Sequence, residues 1–101
     1  NISVNGLGGF LKSTAVTVTT ALTVLPPTAL VNRRSLIIYN NSAVTMEFGD
    51  SNFVFGGGIP LGAGSFSPSL DASAKLIIYG RVASGSADIR IGELSDIGTG
   101  R

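Results

Sequence analysis

The chain has 101 residues, of which 44% are hydrophobic and only 13% charged, and seven basic and six acidic side chains leave a net charge of +1. That length suits one domain with a core of its own, and the thin, scattered charge excludes the basic stripe that nucleic-acid binding needs. No apolar stretch approaches the ~20 residues of a membrane-spanning helix, and a chain without cysteine has no disulfide framework.

In chain order, residues 1–13 read as an arm. Ile2, Val4, Leu7, Phe10 and Leu11 are scattered among Gly6, Gly8, Gly9 and polar residues, with no sustained period. Such a segment gains order from a surface it lies on, so these five side chains are predicted to anchor on a partner. Asn1 stands where an initiator methionine would, and the expectation is a processed chain or one preceded by further residues.

Residues 14–94 form the predicted β domain, and residues 95–101 a polar tail. Residues 14–20 alternate Val16 and Val18 with threonines, the pattern of a first strand. Thr23, Val24 and Leu25 continue towards Pro26 and Pro27, which end any central strand. Arg33 and Arg34 then precede a continuous apolar run, Leu36, Ile37, Ile38 and Tyr39, which needs cover on both faces. The arginine pair is a candidate for contact with acidic groups of another subunit.

After a turn at residues 40–43, Val44, Met46 and Phe48 alternate with Thr45 and Glu47. The unit then repeats: Leu76, Ile77, Ile78 and Tyr79 copy the run, and Ala87, Ile89 and Ile91 alternate with Asp88 and Arg90. If each unit is a hairpin, Ile38, Met46, Phe48, Ile78, Ile89 and Ile91 are core residues. Between the units, Pro60 and Pro68 mark short edge strands. No segment carries a helical period, so the fold expected is all-β: a single antiparallel β-sandwich or jelly-roll-like barrel with an extended N-terminal arm.

Chemistry is poorly supplied. A chain without His or Cys has no imidazole base, no thiolate and no soft metal ligand. Glu47 and Asp88 fall on the polar sides of alternating strands and read as solvated, not as a catalytic pair. Asp50, Ser51 and Asn52 open like a calcium loop, but the remaining ligands are missing. No enzyme activity, cofactor or metal is expected.

Asn32 to Asn41, then Gly58 to Gly64, then Leu76 to Gly80 and Ser86 to Ile91 form a succession that resembles small β-sandwich structural proteins of tailed-bacteriophage virions. The likeness is carried by an R-x-x-L-x-I-x-N-N-type strand, an I-x-L-x-x-G-type turn and a Y-G ending, over about two-thirds of the chain. It implies assembly through β-rich surfaces, often as a homotrimer, with a major capsid protein or another virion protein as partner. Within that class a capsid decoration (cement) protein on the capsid surface is expected, with a neck, tail or fibre component, or a glycan-binding adhesin, as the alternative.

Overall fold

A computed structural model describes residues 11–95. Eight strands account for the regular structure: β1 (Leu11–Val18), β2 (Thr23–Leu25), β3 (Arg33–Asn40), β4 (Met46–Gly49), β5 (Ile59–Leu61), β6 (Leu70–Asp71), β7 (Ile78–Val82) and β8 (Ala87–Ser95). They form two antiparallel sheets of four, in the orders β1-β8-β3-β6 and β2-β7-β4-β5, packed face to face as a β-sandwich.

The repeated units are not hairpins. β3 lies in one sheet and β4 in the other, so residues 41–45 cross between the layers, and residues 83–86 cross back from β7 to β8. The two arches clasp instead: β3 pairs with β8, and β4 pairs with β7. Ile38 therefore faces Ile91 and Met46 faces Val82 across the ladders. This arrangement pairs the strand of each apolar run with the alternating strand of the other unit and buries Leu36, Ile38 and Ile78 between the layers, which a local hairpin would not do.

Alternation in the sequence locates the core well. Val16, Val18, Leu36, Ile38, Ile89 and Ile91 come from one sheet, and Leu25, Met46, Phe48, Leu61, Ile78 and Val82 from the other; all are buried. Fully burying side chains of this size contributes roughly 1.5–3 kcal/mol each. Gly80 lets Leu25 and Met46 meet, because a Cβ there would lie 2.7 Å from Leu25 Cδ1 and 2.8 Å from Met46 Sδ.

Three expectations are corrected. The first strand starts at Leu11, not residue 14, so Leu11, Lys12 and Ser13 belong to the sheet. The second apolar run becomes a strand only at Ile78. Before it, the Leu76 N–H donates to Ser73 O and Leu76 O accepts from Arg33, so residues 73–76 turn and Leu76 and Ile77 are left exposed. Glu47 is buried rather than solvated, because the loop of residues 53–58 folds over it and the N–H groups of Gly56 and Gly58 both donate to its Oε1, at 2.7 and 3.0 Å.

Candidate interaction surface

The outward positions of β1, β8 and β3 build one face. Strand alternation sends Leu36, Ile38, Ile89 and Ile91 inward, so Ile37, Tyr39 and Leu94 point out. In register, Leu11 is opposite Leu94, Ser13 is opposite Gly92, and Gly92 is opposite Ile37. Gly92 leaves a shallow saddle between Leu11 and Ile37, where a Cβ would reach Leu11 Cδ1 at 3.9 Å. Leu11 is 73% exposed and Phe66 70%.

At the far side, Phe66 bridges to Tyr39 and the two rings lie 4.5 Å apart at 36°. The stretch from Ser65 to Ser67 is tied to β3: Asn40 N–H donates to Ser65 O, Ser67 N–H to Ile38 O, and Ile38 N–H to Ser67 Oγ. The aromatic pair thus stands on a fixed backbone. The charged part of this face is the Asp88–Arg90 pair, with Arg90 Nη2 2.8 Å from Asp88 Oδ2 and Asn41 Nδ2 donating to the same oxygen at 2.9 Å. The hydrogen bonds from Arg90 and Asn41 hold the Asp88 carboxyl below its usual range, and Asp88 in turn raises Arg90.

The opposite sheet is different. Its outer face carries the loop of residues 53–58 over Glu47, and Arg81 ties down Thr20 O at 2.6 Å. At one end of the sandwich a cleft of about 350 Å³ opens between the sheets, lined by Phe48, Ile59, Leu70, Leu76, Ile77 and Ile78, with Asp50 and Asp71 beside them. Its walls are apolar, and Ile59, Leu76 and Ile77 are each at least half exposed.

Arg33 does not face a partner. Its side chain is 1% exposed and its Nη1 sits 3.0 Å from Glu93 Oε2, which also accepts the Leu30 N–H. The rest of the guanidinium donates to the carbonyls of Ala72, Ser73 and Leu76. A fork of donors pinning four acceptors is a structural clamp on the loop between β6 and β7. Arg34, its neighbour, is exposed and remains available. Leu11 is also on the surface, whereas Ile2, Val4, Leu7 and Phe10 lie outside the described residues.

Sequence reasoning missed Ile37, Tyr39, Phe66 and Leu94 as a group. The two-faced run of β3 hinted at the first two, but Leu94 and Phe66 come from segments far away in the chain. Among the described residues, no three Asp or Glu side chains gather where they could hold a metal ion. Compared with known proteins, the chain matches no family model, no curated protein and no solved structure.

Proposed function

We propose that this chain is a non-enzymatic structural protein of a virion, and within that class a capsid decoration (cement) protein that binds across neighbouring capsid subunits. The observation that carries the reading is the outer face of the β1-β8-β3-β6 sheet, which no strand or loop among the described residues covers, a row from Leu11 through Leu94 and Ile37 to Tyr39 and Phe66. Strand faces with this much aliphatic and aromatic surface gain by being covered. A rigid sheet loses little entropy when it docks, so the area it buries across a capsid joint goes into holding the joint together. The resemblance noted in the sequence gives the class of partner, a major capsid or other virion protein, and a homotrimer as the form of assembly.

The test is binding of the purified chain to expanded, undecorated phage heads. Saturable attachment is expected, with a rise in the temperature at which the heads break. Ile37→Asp combined with Leu94→Asp is expected to abolish both effects while the isolated domain stays folded. Attachment unaffected by the double substitution would sink this choice of surface, and absence of any attachment would sink the decoration reading.

One observation favours a second reading. In the Tyr39–Phe66 pair an exposed Phe66 ring leans on a half-buried Tyr39 over a fixed backbone, and an exposed aromatic ring is the kind of surface on which a sugar ring stacks. A neck, tail or fibre adhesin that binds a surface glycan would use it. A glycan-array signal lost in Phe66→Ala selects that reading over assembly.

A further inference from the structure

Sheet edges decide which surfaces can pair with another chain, because each edge offers a row of free backbone donors and acceptors. Three of the four edges here are blunted. β6 has two residues and follows Pro68, β5 has three and contains Pro60, and β2 has three and runs into Pro26 and Pro27. The fourth, β1, has eight residues, contains no proline, and keeps an unbroken register with β8 from Leu11 to Val18. Among the described residues nothing pairs with its outer side.

We infer that β1 is the seam of a homodimer, in which the β1 strands of two copies pair antiparallel and join two four-stranded sheets into one of eight. The strand is fit for self-pairing. A two-fold axis normal to the sheet keeps outer residues opposite outer ones, which requires the pair at the axis to be one residue and its copy. Centred on Thr14, the register sets Leu11 opposite Thr17, Lys12 opposite Val16 and Ser13 opposite Ala15 of the second copy. The strand's one charged residue, Lys12, then lies about 14 Å from its copy along the seam at the ordinary strand rise, so like charges are not juxtaposed.

Thr14 marks this register. Its Oγ1 is buried and has no hydrogen-bond partner among the described residues. At the axis the two Thr14 side chains are neighbours, and a rotation about χ1 turns each hydroxyl from its unpartnered buried site to the other, as in cross-strand threonine pairs. The seam is isologous and closes at two copies, unlike the trimer that the resemblance implies. It also places the two proposed docking faces side by side on one surface. The inference rests on the capsid-binding reading and replaces its homotrimer with a homodimer; it is measured without a particle, so capsid binding and the dimer seam can each fail while the other stands.

The experiment is light scattering on the full chain, with two sets of variants. A dimer is expected, and Ser13→Lys with Ala15→Lys, both at exposed positions, is expected to yield a folded monomer with an unchanged circular dichroism spectrum. The chain has no cysteine, so Thr14→Cys gives a single thiol. It is expected to form a disulfide-linked dimer under mild oxidation, while Ala15→Cys is not. A full chain that is monomeric at 100-fold the concentration of an ordinary micromolar dimer overturns the inference. So does a dimer that survives the double lysine variant, or one cross-linked through Ala15→Cys in place of Thr14→Cys. A monomer that dimerises only after removal of residues 1–10 overturns it too, and assigns the edge to the chain's own leading segment.

Discussion

Two ion pairs of very different depth show how environment sets what a charge does. Asp88 and Arg90 lie on the surface, where a salt bridge is worth little. Their contact should nevertheless be visible in titration. Asp88 has its pKa lowered from 3.8, chiefly by the Arg90 hydrogen bond and then by Asn41. Because the folded pKa lies below the unfolded one, this contribution is present above the unfolded value and fades as pH falls through the folded one. NMR titration of the Asp88 carboxyl is expected to give a midpoint below 3.8, moving back up in Arg90→Ala. Arg33 and Glu93 are 1% and 0% exposed, and there the logic is reversed. Arg33→Met leaves a buried carboxylate without its counter-charge and three carbonyls without their donor, and is expected to cost about 3–5 kcal/mol in denaturant unfolding. Adding Glu93→Leu is expected to recover much of that loss, since an apolar pair of similar volume needs no counter-charge. A single-variant loss under ~1 kcal/mol would mean that the clamp does not hold the β6–β7 loop.

At the scale of elements, periodicity and tertiary wrapping divide the explanation between them. Ile38, Met46, Phe48, Ile78, Ile89 and Ile91 are all buried, as the alternation of their strands implies. What alternation cannot carry is which strand lies opposite: the same pattern serves a hairpin or an arch between layers, and here the arches clasp. Glu47 was legible only as the polar side of a strand, since the N–H groups that bury it arrive from residues 56 and 58 in a glycine loop. Leu76 and Ile77 look like strand because the apolar run is continuous, yet an arginine 43 positions earlier claims the Leu76 carbonyl and keeps that stretch turned. The candidate surface was least legible of all, being assembled from β1, β3, β8 and the Phe66 stretch. Two substitutions probe the clasp. Ile78→Ala is expected to cost about 2–5 kcal/mol by opening a cavity. Gly80→Ala is expected to cost about 1–3 kcal/mol by forcing Leu25 and Met46 apart, the milder figure applying if the ends of both flexible chains swing aside. A neutral Gly80→Ala would show that the β7–β2 and β7–β4 contacts are looser than drawn.

For the whole molecule, the contrast between its two outer faces matters most. One sheet is partly covered by the chain itself, through the loop over Glu47 and the Arg81 contacts, while the other presents Leu11, Ile37, Leu94 and Phe66 to whatever lies beyond. The segment ahead of β1 leads directly off that second sheet at Leu11, beside Leu94. Residues 1–10 carry Ile2, Val4, Leu7 and Phe10 and no charged side chain, so on the proposed function they lie on the same partner as the sheet face. Their removal has to stop at Phe10, because Leu11, Lys12 and Ser13 are paired with Leu94, Glu93 and Gly92 in the ladder. The core contributions of β1, Val16 and Val18, are untouched by such a deletion. The shortened chain is therefore expected to unfold within a few degrees of the full one in calorimetry, yet to bind undecorated heads at least tenfold more weakly. A deletion that instead lowers the unfolding temperature by tens of degrees, while whatever remains folded still attaches, would place residues 1–10 in the chain's own core and remove them from the docking surface.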